Sequence, residues 1–588
     1  MKLYRRTAMA LFVLLVLTFG ARRAQLTPAA AEAQSRPAAQ PTAGQPAQSQ
    51  PTPRPAAAQQ APAVPPGTPG PASELLRLMA VDKPDFGIKV VQTFDASGKP
   101  AYETKGGDLL FITNASVSYY STADKPMIVV INAKTRKVIA VANIDMPSTP
   151  HGITLSPDAK YIYLPSGPST AGGGRGRGEG FFGPSGGTPP TAVVDAKTLK
   201  LAALINTGGS THHTQVFADK YIMFDSFQGP LPIFLLDPAT NKVVRGIPAG
   251  DFNGRPYIGF PSPDGKFIYV TVRPGINRDA SGREIDGWLS KINAETMRGV
   301  ANFPVGPGPV WTAITQDGKT GYVTLGPTNK LVKLDLETGK ILGIAPTGRG
   351  PYGIRLSPDE KIVYVANKGE GGNGQKGATF AAIDTNTMAI IREQLSCPEG
   401  LCQADHIILS PDGKELWVSN NLGSISIFER ETLKMLATIQ TPKLGDPHGG
   451  TFVQIAPDNR SATVVADIGG PHGGVSPYAA LAKPTAPAAA PASVPVRGSP
   501  STLTVVAKAF KFVPATLTVT AGQKITFEFE NQDDVDHNIV SKDGPLFSEV
   551  TLGGSQKRTI EWTAPSTRGT LNLVCTYHPG MEMTLNVK

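Results

Sequence analysis

The chain has 588 residues, too many for one hydrophobic core, so two or three folded units are expected. Apolar residues make up 40% and charged residues only 18%, with 63 Gly and 54 Pro, which suits an all-β protein with many turns plus some disordered linker. The net charge of +9 sits mostly in residues 1–72, where seven Lys and Arg face Glu32 alone, so no basic stripe marks the folded part and nucleic acid is not an expected partner.

Lys2, Arg5 and Arg6 precede an apolar run over 8–20 (AMALFVLLVLTFG), short for a membrane span and typical of a secretory signal core. Residues 1–24 are therefore read as a signal peptide or an uncut N-terminal tether. Either places the protein in the periplasm or outside the cell, and the uncut tether would hold it to a membrane. Residues 25–74 are mostly Ala, Pro, Gln, Ser and Thr and cannot bury a core, so they are read as a disordered linker. A second such stretch over 479–499 separates a body, 75–478, from a tail domain, 500–588.

The body is a repeat. One piece is a strand, an S-P-D-G-like turn and a second strand, as in HGITLSPDAKYIYL from 151, YIGFPSPDGKFIYV from 257, YGIRLSPDEKIVYV from 352 and HIILSPDGKELWV from 406. The other is a hairpin around D-x-x-T-x-K, as in VDAKTLKLAAL from 194 and LDLETGKIL from 334. Seven copies of each, alternating, predict seven four-stranded blades of a β-propeller. The copy near 448–468 lacks a following hairpin, and the hairpin near 131 has a weak preceding pair, so the two ends are expected to share a closing blade. The pattern resembles the YVTN-type seven-bladed propellers, a likeness that implies fold and not function. Long insertions from 167, 273 and 368 are read as loops; the GRGRG of the first opens no helix. Cys397 and Cys402 (CPEGLC) have the spacing of a small disulfide, with a metal pair as the alternative. That leaves Cys575 to be explained.

In the tail, FKFVPATLTVTAGQKITFEFEN alternates apolar and polar residues, DVDHNIV starts another strand with His537, and LNLVCTYHPGMEMTLNVK packs Cys575, His578, Met581 and Met583 into one loop. A thiolate, two imidazoles and a weak thioether are the donors of a blue-copper electron-transfer site; zinc takes a thioether poorly and cannot carry electrons. The tail resembles the cupredoxins, with C-x-x-H-P-x-M similar to the amicyanin type, which implies a Greek-key β-sandwich. The resemblance implies copper held by His537, Cys575 and His578, with Met581 axial. Plastocyanin and pseudoazurin spacing would choose Met583 instead. It also gives Asn538 a role in pinning the ligand loop, and makes the edge of His578, beside Pro579 and Gly580, the port for electrons.

The other histidines lie in the body. Counting back seven residues from the turn Asp gives His151, His212, Tyr257, Val310, Tyr352 and Asp405; counting back six gives Gly152, His213, Ile258, Trp311, Gly353 and His406. A strict two-residue period sends these two series to opposite faces. A second metal site at the channel, drawn from His151, His212, His213, His406 and His448, competes with the reading of histidines hydrogen-bonded at strand ends. The domain order is similar to that of nitrous-oxide reductase. Two departures argue against that activity: Cys575 is the only cysteine in the tail, and Tyr257, Trp311 and Tyr352 stand where histidines would. The first expectation is an exported one-electron copper protein whose propeller docks a redox partner protein or a ligand. The alternative is a copper-dependent oxidoreductase with a second metal or substrate site in the propeller.

Overall fold

The computed structural model describes residues 87–588 except 118–121, 147–148, 168–189, 227–228, 253, 275–284, 371–376, 399, 401, 473–500, 534–536, 542–549, 553–554 and 576–579. The signal, both linkers, most of the three insertions, His578 and Pro579 fall outside the described residues.

The described residues form strands and three short 3-10 turns. Five consecutive four-stranded antiparallel meanders span 211–247, 255–307, 309–346, 351–395 and 404–440. A sixth sheet runs through Thr154–Leu155, Tyr161–Leu164, Thr191–Asp195 and Leu201–Asn206, and gains Lys89–Thr93 at its edge. In the seventh, Leu109–Ala115, Met127–Asn132 and Lys137–Asn143 pair with Thr451–Ile455 from the far end of the propeller segment. The two ends of the body thus share a sheet, as the repeat pattern predicts. First strands pack on first strands, from Arg255–Pro261 through Pro309–Ile314 and Pro351–Leu356 to Ala404–Leu409, so they line the centre of a β-propeller.

The repeats exist because each encodes a self-contained turn. Ser156 Oγ donates to Asp158 Oδ1 at 2.7 Å and accepts the Tyr161 amide at 3.0 Å. Ser262 with Asp264, Ser357 with Asp359 and Ser410 with Asp412 do the same. In the hairpins, Asp335 Oδ1 accepts the amide and hydroxyl of Thr338, and Asp384 those of Thr387. Sheets are covered on both faces, so strands such as Met127–Asn132 (MIVVIN) are buried along their whole apolar run.

The seventh sheet departs from the four-stranded expectation. Ala462–Asp467 and Gly470–Pro471 extend it to six strands. Asp467 Oδ2 accepts from Thr154 Oγ1 and the Val216 amide, and Arg355 donates to the carbonyls of Asp467 and Ile468. The extra strand therefore sits where several first strands converge.

The tail is a two-sheet sandwich. One sheet orders Lys511–Val513, Ser501–Lys508, Lys524–Asn531 and Lys557–Thr563. The other orders Thr516–Val519, Glu582–Val587, Gly569–Val574, His537–Ser541 and Val550–Leu552. Alternation in KITFEFEN buries Ile525, Phe527 and Phe529 against Trp562, Leu573, Leu585 and Val587.

Candidate metal centres

In the tail, Cys575 follows Gly569–Val574 and its amide donates to the Met581 carbonyl at 2.9 Å. Val574 pairs with Glu582 and Leu573 with Met583, so Met581 stands across from Cys575 and Met583 lies one pair further along. Cys575, Met581 and Met583 are all buried in the sandwich core. His537 opens the adjacent strand, and its Nδ1 lies 3.7 Å from Cys575 Sγ. Its Nε2 lies 2.8 Å from Asp533 Oδ2. Asp533 also accepts the Ala509 and Phe510 amides at 2.7 and 3.0 Å. Slight burial pushes the Asp533 carboxyl up, but these amides and the His537 ring outweigh it and hold the carboxyl below its usual range. An ionised Asp533 keeps the proton on Nε2 and leaves the Nδ1 lone pair facing sulfur. The donor chemistry, a buried thiol, imidazole nitrogen and thioether brought together, fits copper. Sequence reasoning placed His537, Cys575 and Met581 together and missed Asp533, which only its position four residues before His537 could have flagged.

In the propeller, His212 and His213 both turn to the centre because of a β-bulge. Thr211 pairs with Ser226 and Thr214 with Phe224, which leaves both histidines opposite Asp225 alone. The bulge recurs at Tyr257–Ile258, Val310–Trp311, Tyr352–Gly353 and Asp405–His406. At three of them a hydroxyl thirteen residues on accepts the bulged amide: Thr271 from Ile258, Thr324 from Trp311, Ser419 from His406. This corrects the expectation that the two histidine series face opposite ways.

One nitrogen each from His151, His212, His213 and His448 lies within 4.8 Å of the others. Nδ1 atoms of His212 and His213 are 2.9 Å apart, and Nε2 of His406 is 3.2 Å from Nε2 of His213. Asp405, fully buried, reaches His448 Nδ1 at 2.8 Å, His406 Nδ1 at 3.1 Å and Lys368 Nζ at 3.0 Å. Trp311 and Tyr352 wall the cluster, with His406 ring centroids at 4.8 and 5.6 Å from theirs. Burial drives His151, His212 and His213 well below the usual imidazole range, which keeps them neutral. Burial lowers His406 to about 4 against the pull of Asp405. For His448 burial is outweighed by the Asp405 and Asp446 carboxylates, and its pKa is raised. Asp405 itself stays well below the carboxylate range, since His406, His448 and Lys368 overcome its burial. His472 is not in the cluster; its Nε2 lies 2.8 Å from Asp467. Sequence reasoning gave Asp405 no role and put Lys368 at the start of an insertion. Cys397 and Cys402 form a disulfide.

A cavity of about 390 Å³ lies among the S-P-D turns, lined by residues including Asp219, Phe260, Trp311, Arg355 and His472. Trp311 thus touches both this cavity and the histidine cluster.

Residues 479–587 match the family of cupredoxin-like domains. No curated protein sequence matches the chain. Among solved structures, a putative 6-phosphogluconolactonase from Bacteroides fragilis is 18% identical, covering 60% of this chain and 99% of its own, with a TM-score of 0.43. A dihydro-heme d1 dehydrogenase is 16% identical, covering 63% and 80%, with a TM-score of 0.41. The periplasmic gluconolactonase of Pseudomonas aeruginosa is 17% identical, covering 58% and 99%, with a TM-score of 0.41. The chain is all-β: a β-propeller followed by a cupredoxin-like domain at its C-terminus.

Proposed function

We propose that the protein is an exported mononuclear copper protein that passes single electrons through its tail domain, with the propeller as a docking or ligand-binding scaffold. The observation that carries this reading is the buried approach of His537 Nδ1 to Cys575 Sγ at 3.7 Å, with Met581 across from the cysteine. Cys575, His537 and His578 would hold copper, with Met581 as the weaker fourth donor in preference to Met583 because of its cross-strand position. Bound there, copper supplies reversible Cu(II)/Cu(I) exchange. The chain's own part is to exclude water, fix the His537 tautomer through Asp533, and keep the thiolate buried. The Cys397–Cys402 disulfide supports an oxidising compartment, as does the signal-like N-terminus. The partner is a redox protein meeting the His578 edge. A second reading, a copper-dependent oxidoreductase, is favoured by the propeller histidine cluster.

The test is Cys575→Ala in the full chain loaded with copper. The intense thiolate-to-copper visible band should vanish while the propeller keeps its unfolding transition. A band that survives would overturn the assignment.

A further inference from the structure

The geometry points to a second, separate metal site: His151, His212, His213 and His448 bind one imidazole-preferring transition-metal ion at the centre of the propeller. This goes beyond the electron-carrier reading, because none of these residues belongs to the tail domain.

Three observations carry it. The four imidazoles come from three different segments, 151, 212–213 and 448, yet one nitrogen from each falls within 4.8 Å of the rest. A recurring bulge turns two successive residues inward, and here both are histidines. Imidazole rings gain little from such crowding unless something sits between them. Next, Nε2 of His448 is buried and has no hydrogen-bond partner. A buried polar atom without a partner is destabilising, so it calls for a ligand. Finally, the orienting carboxylate is already in place. Asp405 Oδ2 lies within ion-pair distance of Nδ1 of both His448 and His406, a placement from which a carboxylate can orient the rings and present Nε2 to a metal. Lys368 Nζ, 3.0 Å from Asp405 Oδ1, balances that buried charge.

An all-imidazole set with no thiolate and no carboxylate donor suits copper, zinc or nickel and disfavours magnesium and calcium. Asp405 and His406 are positioning residues here. Asp405 orients His448, and His406 braces His213 through the 3.2 Å Nε2 contact.

The experiment uses the full-length chain carrying Cys575→Ala, which removes the tail thiolate, purified from medium containing copper and zinc. Metals are counted after exhaustive dialysis, and affinity is measured by competition with a chromogenic chelator. The expected result is one tightly held copper or zinc per chain, with nitrogen-only scattering from imidazole in its X-ray absorption spectrum. His448→Gln should abolish it. His151→Gln, at a partly exposed position that the fold tolerates better, should weaken it at least tenfold with the unfolding transition retained. No retained metal in the Cys575→Ala chain, or retention unchanged by both histidine variants, would overturn the proposal. Failure of the electron-carrier reading looks different: the unmodified chain would lack the thiolate band whatever the propeller holds.

Discussion

Replacing Asp405 by Asn removes the carboxylate that Lys368 Nζ, His406 Nδ1 and His448 Nδ1 all reach, at 3.0, 3.1 and 2.8 Å. The Asp405 side chain is fully buried and that of Lys368 keeps only 14% exposure, so solvent screens the lost charge weakly. Breaking a buried pair from one side costs about 3–5 kcal/mol, because the surviving charge stays desolvated. Lys368 Nζ also lies 3.9 Å from the centre of the Tyr352 ring, which retains some attraction, so about 3 kcal/mol is expected. Removing both charges, Asp405→Asn with Lys368→Met, should recover most of that loss, giving a coupling of about 2 kcal/mol. The assay is urea unfolding of the full chain with chelator present, which removes stabilisation by bound metal. Tryptophan fluorescence reports on the propeller through Trp288, Trp311 and Trp417, all buried. A cost below about 1 kcal/mol for Asp405→Asn, or an additive double variant, would refute the reasoning.

His472 sits 2.8 Å from Asp467 and 3.5 Å from Asp219. Burial would lower its pKa, but these carboxylates raise it to about 9. A raised folded-state pKa stabilises fully below the ordinary 6.5 and is lost as pH rises through about 9, a contribution of about 3 kcal/mol. Urea midpoints from pH 6 to about 9.5 should fall for the wild type and stay nearly flat for His472→Gln; parallel curves would discount the pair. The Cys397–Cys402 disulfide closes a short loop, worth about 2 kcal/mol in chain entropy, so the Cys397→Ser/Cys402→Ser protein should unfold earlier by that amount and become insensitive to reductant. Asp533→Ala should weaken copper binding in the tail about 10–100-fold by chelator competition, since it frees the His537 ring to turn. An unchanged affinity would separate Asp533 from the site.

The repeats were legible because their hydrogen bonds are local. Asp335 satisfies Thr338 three residues away, and Ser156 satisfies Tyr161 five away, so any copy of the turn carries the full instruction. Ala462–Asp467 was not legible as a central strand. Its placement depends on Thr154, Val216 and Arg355, which no turn motif mentions. The bulges defeated a strict two-residue period, although a signal was there. Thr271, Thr324 and Ser419 each stand thirteen residues after the bulged amide they accept. Cys575 and Met581 were legible because one short loop holds them. Asp405 and Lys368 were not, since a charged pair 37 residues apart declares itself only once two sheets meet.

The most direct test of the central claim is a redox titration of the copper-loaded full chain, following the thiolate-to-copper band against solution potential. A one-electron carrier predicts a single reversible wave with a slope near 59 mV per decade, lost in Cys575→Ala. A chain that binds copper but shows no such band, or bleaches without recovery on reoxidation, would contradict it.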